Sequence, residues 1–580
     1  MSPSRTAEDA GAPRGHRPDE VPGTGPAGHS LFVPAGSGPL GRAVRFFRTA
    51  LGSRTAVAFT TEERLVRTLG PAQEWIRLSE PALRALAAPL GISSLRIDPR
   101  LSAPAAGAPA PHEPADRPSH PLLTPQEVTM SLSLGSLGPS GPALPPAPGE
   151  DLSVWPASTA HVPGGDLAVG GVPLAEAADR FGTPLYILDE DEVRSRCRTY
   201  KAAFPDADVV YAAKAYLCRA VARWVREEGL GLDVVSAGEL ELAVTTGFPP
   251  DRIVLHGNAK SPQDLRTAVR LGVGRIVIDS GTEIARLAAL VPPGDRQKVM
   301  LRVVPGVSAG GHAAVRTGTD DQKFGLSLTD GSAQHAVDRV LGQPGLALTG
   351  LHCHIGSQVT TVKPYVAALR RLIGLMARIR DQHGVVLPEL DLGGGHAVAY
   401  RPGEPALDIT ALATRIRAEL AEGCARADLP VPRLILEPGR AVIGPAGVAV
   451  YRVLTVKRTA GRTLVAVDGG MSDNPRPALY GVRYLPRLVG REHSAARALV
   501  DVVGRYCEAG DVLAADVSLP DDVRPGDLLA VPVAGAYHLS MASTYNLVGR
   551  PPVIAVSAAT ARLLVRRESL ADMTARDVGA

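Results

Sequence analysis

Cysteine is scarce and badly spaced for structural work. Cys197, Cys218, Cys353, Cys424 and Cys507 are scattered with no C-x-x-C pair, which argues against a disulfide framework or a structural zinc site and fits a reducing compartment. Net charge is nearly absent as well. A formal +3 over 580 residues gives no electrostatic reason to expect nucleic acid or an anionic membrane as partner. No apolar run is long enough to span a bilayer, and the polar, Pro/Gly-rich start lacks the apolar core of a signal peptide. The expected location is therefore the cytoplasm.

What is present is the composition of a globular protein, with 45% hydrophobic and 21% charged residues. The length calls for two or three domains. Residues 1–29 are rich in Pro, Gly, Ser and charge and read as disordered. Residues 30–100 read as a small α+β unit: a strand Thr55–Thr60, a capping box Thr60-x-x-Glu63 opening a helix, Ser79 as the next N-cap, and a closing strand Ser94–Asp98. This unit carries no cluster of catalytic side chains, and it resembles the small SseB-like or SAV_915-type domains. Residues 101–150 are a Pro/Ala/Gly/Ser linker. Met130 lies inside it and offers an internal translation start that would omit the N-terminal unit.

Beyond the linker, short β-branched runs alternate with helical patterns, the mark of βαβ units. Strands are expected at 209–214, 231–236, 253–257, 275–280, 299–304, 348–354, 389–395 and 433–439. Eight strand–helix repeats predict a (β/α)8 TIM-type barrel over residues 185–440, with a doubly wound open sheet as the alternative. Residues 441–580 read as a C-terminal β domain. Residues 151–184 are expected to contribute to that domain, although the segment 166–174 could pair into the barrel.

Chemistry in such a barrel belongs at the C-terminal strand ends. Lys214 ends an apolar strand, where an ammonium is costly unless paired or chemically used. It either snorkels to the rim or, with a pKa lowered by burial, serves as a nucleophilic amine for pyridoxal phosphate (PLP). Gly393-Gly394-Gly395 follows strand seven and Glu437-Pro438-Gly439-Arg440 follows strand eight, where barrels commonly bind phosphate. Glu437 could keep a pyridine nitrogen protonated, or simply pair with Arg440. His352 and His354 form an H-x-H pair, for which a metal is the rival reading. No convincing set of further ligands is evident, so no metal is expected. Cys507, read by itself, is a small buried hydrophobe like Cys197, Cys218 and Cys424.

Several motifs, in order, carry a resemblance: YAAKAY, DVVSAGEL, HGNAKS, KFGL, GLHCHIGSQ, DLGGG, LEPGR, VDGGMSDNPRPALYG, VVGRYCEAGD and GAYHLSMASTYN. Over residues 165–560 the chain resembles the fold-type III PLP decarboxylases, and among them the diaminopimelate decarboxylases. The resemblance implies decarboxylation of meso-2,6-diaminopimelate to L-lysine in a head-to-tail homodimer. Lys214 would form the Schiff base and His354 would stack on the ring. Ser357, Gly394, Gly395, Arg440 and Tyr537 would hold the phosphate, with Glu437 on the ring nitrogen and Asp233 and Arg302 near the other edge. Arg440, Arg476, Tyr480 and Tyr537 would line the substrate site, the first three clamping the distal carboxylate and Glu508 taking the distal amino group. Cys507 would be the general acid, acting in the partner's site. The chain departs from the family's pattern at Val304, at His396, where an aromatic is usual, and at Leu547-Val548-Gly549. These departures leave room for a decarboxylase of ornithine, lysine, arginine or a carrier-bound amino acid. A racemase or a non-catalytic PLP-binding regulator are more distant alternatives.

Overall fold

The computed structural model describes residues 30–99 (apart from 39–40, 49–53, 72, 89–91 and 93) and 151–579 (apart from 308, 310–322 and 460). The expected disordered start, the linker and Met130 lie outside the described residues. The chain divides into two compact units, Met1–Leu137 and Gly138–Ala580.

In the first unit, Ser30–Gly38 pairs antiparallel with Gly41–Val44 and Trp75–Ser79, and Arg54–Ala58 pairs with Phe46–Arg48 and Leu95–Ile97. Leu31, Val33, Ala56, Ala58, Leu83, Ala87 and Ile92 form its main core. The helix Glu62–Leu69 starts one residue later than its sequence suggests. Thr61 is the N-cap, accepting from the Arg64 amide, while Thr60 instead binds Asp98. Ser79 caps Glu80–Ala87 as expected.

The second unit contains eight parallel strands: β1 (Asp208–Ala212), β2 (Gly231–Val234), β3 (Ile253–Leu255), β4 (Arg275–Ile278), β5 (Gln297–Val304), β6 (Leu346–His352), β7 (Glu389–Asp391) and β8 (Arg433–Leu436). Each pairs with the next, and β8 pairs back onto β1 through Asp208↔Ile435 and Val209↔Leu436, so the barrel is closed. The expected TIM-type barrel is what forms. Val210, Val254, Val277, Met300 and Ile435 fill one interior layer. Gly350 on β6 makes that layer possible, because a Cβ there would lie 2.7 Å from the Met300 methyl and 2.5 Å from the Glu389 carbonyl. Four of the intervening helices open on side-chain caps: Ser236, Ser261, Ser280 and Asp408 each accept a first-turn amide. At the N-terminal end, Arg275 pairs with Glu389 at 2.5 Å and Asp208 at 3.1 Å, tying three strands together away from the chemistry.

The β domain gathers Gly447–Arg458, Thr463–Val467, Arg497–Val503, Val512–Pro520, Leu528–Pro532, Val553–Ser557 and Thr560–Val565. Leu185–Asp189, assigned above to the barrel, belongs here. It pairs antiparallel with Gly447–Val450 and parallel with Val553–Val556. The segment 166–174 does not join the barrel either; Asp166–Val169 pairs with Ala160–Val162 and Val172–Pro173. Among the described residues, no helix is long and apolar enough to cross a membrane.

Candidate active site

Lys214 sits just past β1, in the single 3-10 turn Ala213–Ala215. A loop of the β domain holds that turn: the Tyr537 amide donates to the Ala215 carbonyl at 2.8 Å, and Ser540 Oγ donates to it at 3.0 Å. Tyr537 adopts φ +59° to do so, a conformation uncommon for a side chain of its size. Lys214 Nζ lies 2.6 Å from Asp233 Oδ2, at the end of β2. Burial works against the ammonium, but Asp233, Tyr537 and Glu437 outweigh it and hold the pKa above the usual lysine value. The expected lowering is thus reversed: the neighbouring strand supplies an acid that single-strand reasoning leaves out.

Beside this pair, four buried groups converge. His256, His352, Asp391 and Glu437 place their ligand-type atoms within 4.8 Å of one another. Sequence reading had found no such partners for His352. His256 Nε2 is in direct contact with Glu437 Oε1, and His352 Nε2 lies 3.3 Å from Glu437 Oε2. Burial pulls the His352 pKa down to about 3, so that ring is neutral and serves as an N–H donor. Burial opposes the Glu437 carboxylate, yet His256 and His352 hold its pKa well below the normal range. Burial and the adjacent Glu437 push the Asp391 pKa well above the usual carboxylate range. These direct imidazole–carboxylate contacts describe a hydrogen-bonded support for Glu437. His354 lies apart from the four, just past β6, its Nδ1 3.3 Å from the Gly394 amide.

A cavity of about 330 Å³ brings Lys214, His354, Ser357, Gly395, Glu437, Arg440, Arg476, Tyr480 and Tyr537 to one space. Gly394 and Gly395 line its glycine turn closely: a Cβ would meet the Glu437 carbonyl at 2.1 Å and the Gly356 carbonyl at 2.0 Å. Only bare backbone fits there. Arg440 Nη2 donates to Ser357 Oγ at 3.2 Å, and its guanidinium lies 4.6 Å from the Tyr537 ring centre. Arg476 is buried, with Nε lacking any hydrogen-bond partner. Neither Arg440 nor Arg476 has an Asp or Glu ion partner among the described residues; the groups that raise the Arg476 pKa against burial are Tyr400, Tyr484 and Tyr537. Arg302 is placed outside this lining, 3.5 Å from Asp279 and over the Phe324 ring.

Cys507 and Glu508 do not line the Lys214 cavity of their own chain. Cys507 is exposed, unlike the other four cysteines, so it is not the buried hydrophobe that its residue type alone suggests. Glu508 accepts from the Tyr545 hydroxyl at 2.5 Å. Among the departures, His396 is buried beside the cavity, its Nδ1 2.8 Å from Tyr200 OH and its ring stacked on Tyr200.

The donor set fits PLP at each end. Glycine amides, Ser357 and Arg440 suit a phosphate, the ionised Glu437 suits a protonated ring nitrogen, and Lys214 suits the aldehyde carbon. Residues 190–444 match the pyridoxal-binding domain of the pyridoxal-dependent decarboxylases. The diaminopimelate decarboxylase of Actinosynnema pretiosum subsp. auranticum is 55% identical over 452 residues, covering 78% of this chain and 100% of that protein. The chain belongs to the diaminopimelate decarboxylase family. Its Mycobacterium tuberculosis relative is 46% identical over 437 residues, covering 73% of this chain and 98% of that protein. The crystal structure of the M. jannaschii diaminopimelate decarboxylase in co-complex with L-lysine is 30% identical with a TM-score of 0.69, covering 73% and 98% of the two chains. PLP is therefore the cofactor.

Three residues of this decarboxylase site escaped the sequence reading: Tyr400, His256 and Asp391. The last two stand inside the quoted motifs HGNAKS and DLGGG, directly after or at strand ends, which was the available signal. Tyr400 lies five residues beyond the glycines and gives no such sign.

Proposed function

We propose that this chain decarboxylates meso-2,6-diaminopimelate to L-lysine, with the site residues acting as follows. The observation that carries the reading is the pair of guanidiniums, the buried Arg476 and the half-buried Arg440, sharing a cavity with Lys214 and Glu437 and lacking carboxylate partners among the described residues. One cation answers the cofactor's phosphate; the second calls for another anion, and a substrate with a distal carboxylate supplies it.

Bound PLP supplies an electron-poor ring that takes up the electron pair left when CO2 departs. Lys214 attaches the cofactor, and Asp233 keeps the amine oriented and charged until then. Glu437, ionised by its two imidazole donors, keeps the proton on the ring nitrogen. His354 would pack against the ring. Gly394, Gly395, Ser357, Arg440 and Tyr537 bind the phosphate. Arg476 and Tyr480 bind the distal carboxylate. Cys507 of one subunit returns a proton to the α-carbon in the other subunit's site, where Glu508 receives the distal amino group. Two chains then share each site, which accounts for the exposure of Cys507 in a single chain. A plain diamine precursor such as lysine would leave Arg476 buried without its anion, at a cost of a few kcal/mol.

The test is product analysis of purified protein and PLP with meso-diaminopimelate, lysine, ornithine and arginine. Lysine and CO2 should form from diaminopimelate alone, and Lys214→Ala should form neither. Faster turnover of ornithine, lysine or arginine would overturn the substrate assignment while leaving the decarboxylase.

A further inference from the structure

Tyr400 is given no part in the chemistry above, yet it occupies the middle of the cationic end. Its hydroxyl oxygen accepts from Arg440 Nη1 and, at 2.6 Å, from Arg476 Nη1. The ring is buried, with the Arg476 guanidinium 5.2 Å from its centre and Tyr484 edge-on at 5.5 Å. Tyr484 is held in turn by a 2.7 Å contact with His538 Nε2, and the Tyr400 amide is fixed by Glu404 Oε2 at 3.0 Å. Two like charges are thus gathered on one phenol oxygen, whose two lone pairs are both engaged. Without it, the guanidiniums would repel each other across a poorly hydrated space.

What each arginine keeps free is unequal. Arg440 still reaches Ser357 through Nη2, on the phosphate side. Arg476 keeps Nε, buried and without a partner. We propose that Tyr400 is a positioning residue for substrate specificity: by fastening Nη1 of both arginines it reserves Arg440 for the cofactor's phosphate and holds the Arg476 guanidinium in place for the substrate's distal carboxylate. This rests on the reading that Arg476 meets that carboxylate. The burial that raises a phenol pKa is outweighed here by Arg440 and Arg476, which hold Tyr400 below the ordinary tyrosine value and strengthen it as an acceptor.

The test compares Tyr400→Phe with Arg476→Ala in the holoenzyme, by steady-state kinetics and by calorimetric binding of pimelate. Pimelate has both carboxylates and no amino group, so it reports the anion site without chemistry. In Tyr400→Phe the KM for diaminopimelate should rise about tenfold with kcat within about threefold, as expected for loss of uniform binding. Pimelate should weaken by a similar factor, and cofactor content should be unchanged. If Arg476→Ala weakens pimelate while Tyr400→Phe leaves it unchanged or tightens it, Tyr400 competes with the carboxylate or is idle, and the proposal is overturned. If Arg476→Ala itself leaves pimelate binding and KM unchanged, the distal-carboxylate reading falls, and Tyr400's role with it.

Discussion

Truncating Arg476 to alanine isolates the charge that separates diaminopimelate from simpler amino acids. The side chain is 3% exposed, and its partners in the resting site are the Tyr400 hydroxyl and, at 3.4 Å, the Ala536 carbonyl, neither of them anionic at full charge. Removing it leaves Tyr400 with its Arg440 contact intact, so no buried phenol is orphaned. The cost then falls on the substrate complex, where the distal carboxylate enters a closed space without its guanidinium. Breaking such a buried pair costs roughly 3–5 kcal/mol. Arg476→Ala should accordingly lower kcat/KM for diaminopimelate by about two to four orders of magnitude. Lysine formation and CO2 release measure it directly. Cofactor retention should be near normal, because Gly394, Gly395, Ser357 and Arg440 remain. Discrimination against lysine should shrink as well, since no arginine is left stranded when the distal carboxylate is missing. Diaminopimelate turnover within a few-fold of wild type would refute the clamp.

Two further outcomes test the assembly and the departure at residue 396. If Cys507 serves the opposite subunit, mixing inactive Lys214→Ala and Cys507→Ala chains under exchange conditions should regenerate about one working site per mixed dimer, by the symmetry of a head-to-tail pair; no recovery despite demonstrated exchange would place the acid in its own chain. His396 is buried, which pulls its pKa down to about 4, so its contribution to stability is fully present above the unfolded value near 6.5 and is lost as pH falls toward 4. Urea midpoints should show that His396→Phe removes about 3 kcal/mol of the stability lost between pH 7 and pH 4, and an unchanged pH slope would mean that His396 is solvated.

The barrel was legible because parallel strands buried on both faces read as short apolar runs, several of them followed by a residue that caps the next helix. Ser236, Ser261 and Ser280 mark such starts. The barrel boundary drawn at 185 misplaces Leu185–Asp189, which is buried along its whole length like a barrel strand. Its membership depends on pairing with Gly447–Val450 and Val553–Val556, several hundred residues away, and no local period carries that information. The site divides in the same way. Lys214, the glycine run and the Glu437–Arg440 turn are contiguous signals at strand ends. The support beneath Glu437 is assembled from β3, β6 and β7, and Tyr400 meets Arg476 across 76 positions of sequence. Lys214 shows the physical reason. Its strand implies burial and a lowered pKa, but Asp233 arrives from the neighbouring strand and reverses the sign.

The distribution of charge in the cavity narrows the reaction further. Acids gather at one end: Asp233 on Lys214, and Glu437 backed by Asp391 and two imidazoles. Cations gather at the other, where Arg440 and Arg476 share only Tyr400 and the faces of aromatic rings. A ligand that is phosphorylated at one end and protonated at a ring nitrogen at the other is complementary to that polarity. Once the phosphate has satisfied Arg440, one buried guanidinium is still left over. On the proposed reading, Glu437 would select what happens to the bound amino acid, because an ionised carboxylate at the ring nitrogen would keep the ring protonated and favour loss of a group that leaves its electron pair behind. A site that merely exchanged the α-proton would not need a ring so strongly activated. On that reading the surplus guanidinium would select which amino acid arrives, and the activated ring would select which bond breaks. Together they describe the decarboxylation of an amino acid that keeps a second carboxylate.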